Sequence, residues 1–147
     1  MKSEWNEYLS EIQLPSSLYS IIERKIKDVQ DIFGVGIDKI FVTNRRTEQG
    51  TDFVSIWLFS DGKAFECKNF VSTDDYDIVV TRNNISYISI RKSSYLDIAN
   101  PSKDSSLSCS CYMANTSLSC SFNAVGINCK YLMKILQDEY ISNILNQ

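Results

Sequence analysis

Histidine is absent from the 147-residue chain. Its absence removes the usual general base near neutral pH, the Ser–His and Cys–His nucleophile pairs, and the commonest metal ligand. Proline and glycine are scarce, at two and five residues, and no repeat, low-complexity tract or linker divides the sequence. No run approaches the roughly 18–20 consecutive apolar residues a membrane span needs. There is no phosphate-binding glycine loop and no nucleophile motif. The opening Met1-Lys-Ser-Glu-Trp-Asn-Glu7 has no apolar stretch of the kind a secretory signal carries. A cytoplasmic address is therefore expected, with all five cysteines reduced.

What is present is one domain's worth of chain, long enough to bury roughly 70% of its unfolded surface in a single core. Hydrophobic residues make up 44% and charged residues 22%, with two Trp, eight Tyr and seven Phe. The net charge of −3 argues against nucleic-acid backbones and anionic membranes as partners.

The clearest pattern lies at the C-terminus. Leu107, Cys109, Cys111 and Met113 alternate with Ser108, Ser110 and Tyr112, then Leu118, Cys120, Phe122 and Ala124 alternate with Ser117, Ser119, Ser121 and Asn123. Strict period-two alternation predicts two half-buried antiparallel strands. A tight turn at Ala114-Asn115 would set Cys111 across from Leu118, Cys109 from Cys120 and Leu107 from Phe122, apolar against apolar. A closing helix follows, capped at Asn128 and running to about Leu145, with Leu132, Ile135, Leu136, Tyr140 and Ile144 as its buried stripe.

Upstream, Ser3 is placed to cap a short helix with Trp5, Tyr8, Leu9 and Ile12 on one face, ended by Pro15. A second helix from Ser16-Ser17 to Phe33 carries Leu18, Ile21, Ile22, Ile26, Val29, Ile32 and Phe33 as its stripe and pairs Glu23 with Lys27, and Gly34 stops it. From Asp38 the period becomes two. A strand with Ile40 and Val42 leads through a polar loop, Asn44–Gly50, into a strand over 52–60 that is apolar on both faces and hence central. Asp61-Gly62 is a two-residue hairpin signal pairing Leu58 with Phe65 and Ile56 with Cys67. After the polar connector Ser72–Asp77, strands over 78–82 and 85–92 are read as a hairpin around Asn83-Asn84. Residues 93–106 form a long irregular connection in which Tyr95, Leu96 and Ile98 could make one helical turn, and a compact domain rarely keeps so long a loop without a use.

The fold class is α+β: an N-terminal helix, about seven antiparallel strands in a partly open barrel or sandwich, and a C-terminal capping helix, in one domain of two segments, 1–36 and 37–147. From Ile37 to Leu145 this order of elements resembles the pleckstrin-homology superfold, although the tryptophan of that family's last helix has no counterpart here. Small acidic type III secretion chaperones offer a second resemblance, with both helices on one face of a curled sheet.

Chemistry-bearing clusters have plain structural roles. Cys109, Cys111, Cys120 and Cys129 lack the paired knuckles of a zinc site, and Cys109 and Cys111 stand about 7 Å apart along one strand face, so they are read as core packing, with no metal and no cofactor. Asp74-Asp75-Tyr76-Asp77 lacks the glycine and distal glutamate of a calcium loop and reads as a polar connector. No residue is assigned a catalytic role. The expected function is a non-enzymatic protein–protein binding module, an adaptor or a small inhibitor or immunity-type protein. Its contact is expected at Arg45 and Arg46 with Tyr95, Leu96 and Ile98 of the long connection. The resemblance implies a further option, a membrane-lipid headgroup gripped by Arg45 and Arg46.

Overall fold

The computed structural model describes residues 1–71, 75–114 and 117–146. Helix α1 (Ser3–Glu11), a single 3₁₀ turn (Ser16–Leu18) and helix α2 (Tyr19–Phe33) precede seven strands. These are β1 (Lys39–Thr47), β2 (Gly50–Ser60), β3 (Lys63–Lys68), β4 (Ile78–Arg82), β5 (Tyr87–Lys92), β6 (Ser106–Tyr112) and β7 (Leu118–Val125). The chain closes with α3 (Asn128–Leu136), a π-helical turn (Gln137–Ile141) and α4 (Ser142–Leu145). Strands β1-β2-β3-β4 form one antiparallel sheet and β5-β6-β7 a second. Among the described residues no helix is long and apolar enough to cross a membrane.

Local chemistry explains most element ends. Gln13, at φ 63°, lets the Gln13 and Leu14 amides bond back to Ser10 and Leu9, with Leu14 and Leu9 both buried. This end, and not Pro15, stops α1; Pro15 begins the next turn. Ser3 is the first helical residue and does not cap through its side chain. Gly34, left-handed at φ 68°, ends α2. On α2 the buried set is Ile22, Lys25, Ile26 and Val29, whereas Ile32 and Phe33, expected in the same stripe, lie 65% and 39% exposed. Lys27 pairs with Asp31 at 3.0 Å and not with Glu23, which meets the N-terminal amine.

The Asp61-Gly62 turn has positive φ at both residues and sets Leu58 against Phe65 and Ile56 against Cys67, as the sequence predicts. The four-stranded sheet is covered on both faces. The row Ile40–Leu58–Phe65–Val80 lies under α2, where Phe33 meets Phe65 at 5.0 Å. The row Phe41–Trp57–Glu66 looks toward the second sheet, where Phe122 stands 4.4 Å from Trp57 and 5.6 Å from Tyr140 of the closing helix. Leu107, Cys109, Cys111, Cys120, Phe122 and Ala124 are all buried on that inner side.

Three expected pairings differ. Cys111 faces Cys120, Cys109 faces Phe122 and Leu107 faces Ala124, a two-residue shift from the tight-turn register. The cause is a longer connection, closed by the Met113 amide on Ser117 at 2.8 Å. A bulge beside Cys111 then brings Tyr112 against Leu118 and leaves Leu118 59% exposed. Asn115 of the proposed turn lies outside the described residues. Nor is Asn83-Asn84 a hairpin: β4 pairs with β3 and β5 with β6, so the chain there crosses between sheets. Neither residue takes the positive φ that a two-residue Asn-Asn turn requires. Buried Asn83 is tied to the closing helix instead, donating to Glu139 Oε1 at 3.0 Å and accepting from Asn143 Nδ2 at 3.2 Å. Finally, the expected polar loop after Thr43 is strand: β1 runs to Thr47, and the chain turns only over 48–49.

Glu66 is the one half-buried carboxylate on the row facing the second sheet, bonded by Ser55 Oγ at 3.2 Å. Burial pushes its pKa up, against the charge of Lys68 and the Ser55 bond. The folded state thus holds the proton more tightly than the unfolded chain, so this group's contribution to stability falls as pH rises through the ordinary carboxylate range toward the raised value. Glu66→Gln is predicted to be more stable than wild type at neutral pH, with the gain vanishing in acid where Glu66 is protonated; urea melts across pH check this.

Candidate functional site

The surface that carries the expected contact residues is organised from beneath by buried polar groups. Between Val42 and Asn44 the β1–β2 register shifts; Thr43 faces two residues and its Oγ1 accepts the Ser55 amide at 3.0 Å. The bulge leaves Asn44 buried, where its Oδ1 accepts from the Val125 amide of β7 at 2.9 Å and from Asn128 Nδ2 at 3.0 Å. Asn128 Nδ2 also donates to the Val42 carbonyl at 2.8 Å, and its Oδ1 accepts from the Tyr8 hydroxyl at 2.9 Å. The Val42 amide in turn donates to Tyr8 Oη at 2.9 Å. Asn128 is the first residue of α3 and does not cap it; its side chain is spent inward.

Past this knot, Arg45 and Arg46 emerge on a strand and not on a loop. Arg45 reaches Asp52 at 3.8 Å, an exposed pair worth little on its own. It lines a hollow of about 200 Å³ with Arg91, Ser106, Ser108 and Asn123. Arg46 points the other way and donates through Nη2 to the carbonyl of Lys103, which joins β1 to the long connection. That contact floors a second hollow of about 360 Å³ lined by Glu11, Gln13, Thr51, Pro101, Lys103 and Ile127. Among the described residues neither Arg46 nor Lys103 has a carboxylate within 4 Å.

The connection over 93–105 has no helical turn, yet it is well tied. The Ser93 amide bonds the Ser106 carbonyl at 3.0 Å, and Ser93 Oγ accepts the Ser106 amide at 3.2 Å. Ser105 Oγ accepts the Ser102 amide and Asp97 Oδ1 the Ala99 amide, so short polar side chains stand in for a sheet ladder. Tyr95 is 71% exposed, and Ile98, 38% exposed, lines a hollow with Tyr131, Met133 and Lys134 of α3. Leu96 was expected at the surface; it is buried at 8% and belongs to the core. The structure therefore brings Arg46 against the connection, places Arg45 and Ile98 on separate hollows to either side, and withdraws Leu96.

Sequence reasoning missed a groove of about 290 Å³ between α1 and α3, floored by Trp5, Tyr8, Ile40, Tyr131 and Ile135. Its rim salt links are closed: Lys39 binds Glu139 at 2.9 Å and Asp138 at 3.5 Å, and burial, which lowers its pKa, is outweighed by these two carboxylates. Tyr131 donates to Glu11, and burial with that bond pushes the phenol up to about 12. The signal available was that Tyr131 lies beside the apolar stripe of the last helix and not within it.

All five cysteines are buried and free. Burial pushes Cys67 up to about 12, and Cys129 up to about 11 against the charge of Arg46. Hydrogen bonds to Cys109 and Cys120, then burial, push Cys111 up as well. The sulfurs of Cys109 and Cys111 lean together to 3.9 Å, closer than strand spacing alone suggests. Among the described residues no three Cys, Asp or Glu side chains are arranged to hold a metal ion. Asp74 of the carboxylate cluster lies outside the described residues; its neighbour Tyr76 donates to Asp28 of α2 and lies under Lys25 Nζ at 3.4 Å from the ring centre. Neither a protein-family model, nor a curated protein, nor a solved structure matches the chain.

Two outcomes follow from this geometry. Asn128→Ala removes the shared partner of Tyr8, Asn44 and Val42 and should cost about 2–3 kcal/mol in urea unfolding, with Tyr8→Phe about half as much. A thiol reagent should label no cysteine rapidly in the native protein and all five after denaturation; rapid labelling of any one in the folded state contradicts their role as packing.

Proposed function

We propose that this chain is a non-enzymatic protein-binding module on a scaffold of pleckstrin-homology type, engaging a protein partner through the ledge formed by Arg46 and the connection over 93–105. The scaffold reading is supported by the order of elements: four strands in one sheet, three in the other, and a final helix whose Tyr140 packs on Phe59 and Phe122 between them. The observation that carries the functional reading is the tethering of this connection. Its neck is bonded at Ser93 and Ser106, its body is held to β1 through Arg46, and it still offers Tyr95 and Ile98 to solvent. A pre-ordered loop that carries an exposed aromatic and is held to a strand by an arginine has residue types that dominate binding energy in protein interfaces and loses little entropy on docking. The lipid-headgroup reading is weaker because Arg46 is committed through Nη2 to the Lys103 carbonyl and the facing strand sets Asp52, an acidic residue, across from Arg45.

The test compares wild type with Arg46→Ala/Tyr95→Ala/Ile98→Asp in affinity capture from the native cell. The expected result is one specific protein partner, lost in the triple variant while the variant still unfolds cooperatively, and lost equally in Tyr95→Ala/Ile98→Asp, which keeps the Arg46 tether. Retention of the partner by the variant overturns the site. Salt-sensitive sedimentation with anionic vesicles, abolished by Arg45→Ala/Arg46→Ala, overturns the reading in favour of a lipid surface.

A further inference from the structure

The buried cysteines are not equivalent. Cys67 shares the face of β3 that carries Phe65, under α2, and Cys129 at the start of α3 donates to the Ala124 carbonyl at 3.5 Å. The other three converge on the inner side of the second sheet. There Cys111 of β6 lies directly across from Cys120 of β7, and Cys109 Sγ stands 3.9 Å from Cys111 Sγ. All three are buried, and the Cys120 sulfur is 3.5 Å from the hydroxyl of Tyr140 on the closing helix.

Strand geometry allows one covalent link within this cluster. Directly opposed residues of an antiparallel pair have Cα atoms about 4.5–5.5 Å apart, inside the roughly 4.4–6.8 Å that a disulfide spans. Cys109 faces Phe122, and residues two apart along one strand stand about 7 Å apart, past that limit. Cys111 and Cys120 are therefore the pair that can bond. Their roles differ as well. The hydrogen bond from Cys111, above any other influence, holds the Cys120 thiol below its ordinary pKa against the effect of burial. Cys120 is thus the sulfur that ionises, and Cys111 the one that keeps its proton. Beside the pair the ladder is interrupted: Tyr112 faces Leu118, so Ser119 is an extra residue on β7, and Leu118 is 59% exposed. A brief opening at this end of the hairpin reaches the sulfurs without unfolding the chain.

We propose that Cys111 and Cys120 form a reversible redox site, oxidised by a hydroperoxide to a cross-strand disulfide between β6 and β7. The Cys120 thiolate attacks one oxygen of the hydroperoxide and the O–O bond breaks. Cys120 becomes a sulfenic acid, and the alkoxide or hydroxide that leaves takes up a proton. The Cys111 sulfur then attacks the Cys120 sulfur, the S–O bond breaks, and hydroxide leaves as water with the Cys111 proton. In sum, two thiols and one hydroperoxide give one disulfide, one alcohol or water, and one further water. While reduced, the pair fills the core as before. A bulky thiol reagent does not reach it, whereas a hydroperoxide hardly larger than water needs only the opening beside the bulge. The link also changes the sulfur on which the buried Tyr140 hydroxyl rests, so the closing helix is coupled to the state of the pair.

Intact-mass measurement of the full chain, reduced, folded and treated with hydrogen peroxide, tests this. Wild type is expected to lose two hydrogens, to regain them with dithiothreitol, and to yield a linked peptide joining β6 to β7. Cys109→Ala should keep the link. Cys111→Ala should abolish it and leave Cys120 to gain oxygen instead, because no partner resolves the sulfenic acid. Should Cys111→Ala fail to fold, alkylation of oxidised wild type after denaturation decides alone: Cys67, Cys109 and Cys129 take the reagent, and Cys111 and Cys120 do not. No loss of hydrogens in the folded protein, a link formed only once urea unfolds the chain, or a link that needs Cys109 overturns the proposal. None of these readings depends on the Arg46–Tyr95 ledge, so the two proposals fail separately.

Discussion

Tyr8, Asn44 and Asn128 meet where four elements come together, and their hydrogen bonds fix the seam along which the two sheets join. Asn44 holds the end of β7, Asn128 holds the carbonyl of Val42, and Tyr8 brings α1 onto the same strand while binding Asn128 in turn. All three residues are buried. In a poorly solvated interior, polar groups that found no partner would each cost on the order of 1–3 kcal/mol, so only one arrangement of these elements is tolerated. Apolar packing around Phe122 supplies the driving force for collapse but tolerates a two-residue slip, which keeps the same apolar face inward. The amides and hydroxyl are not. The burial that gives them this selectivity also raises the Tyr8 phenol far above its ordinary pKa, so it stays a neutral donor.

That seam divides the molecule into a closed side and an open one. Where β1 meets β7, side-chain amides complete the backbone bonding, and the ledge of 93–105 is built outward from them through Arg46. On the far side β4 and β5 are the outer strands of their sheets, linked by the crossing at Asn83, whose bonds run to Glu139 and Asn143 of the closing helix. The thiols between the sheets belong to neither surface: they fill the space beside Phe122 and Tyr140, and the Cys120 thiol donates to the Tyr140 hydroxyl at 3.5 Å.

Much of the fold was legible in the sequence because its signals are local. Asp61-Gly62 dictates a hairpin whatever surrounds it, alternation marks β6 and β7, and the stripe Leu132–Tyr140 marks the closing helix. The failures have a common origin in tertiary choice. Asn83-Asn84 has turn-compatible chemistry, yet the Asn83 side-chain amide donates to Glu139 and its backbone carbonyl accepts from Asn143 of the last helix, and the chain crosses between sheets. Asn128 sits where a cap belongs, yet a buried carbonyl and two side chains claim it. The register of β6 on β7 is apolar against apolar in either of two alignments, and only the longer connection and the bulge decide between them. Of the expected contact residues, Arg46 lies against the long connection, and Tyr95 and Ile98 are exposed on it. Leu96 could not be told from them, because one leucine in an irregular segment carries no periodicity to say which way it turns.

Native-state hydrogen exchange at Val42 and Val125 measures the constraint directly, since one amide donates to Tyr8 and the other to Asn44. If the buried amides and hydroxyl hold the seam, both protons exchange only through global unfolding, with free energies matching that of the whole chain and collapsing together in Asn128→Ala. Exchange at either position as fast as at Ala99 on the exposed connection, while the core strands remain protected, would contradict the account.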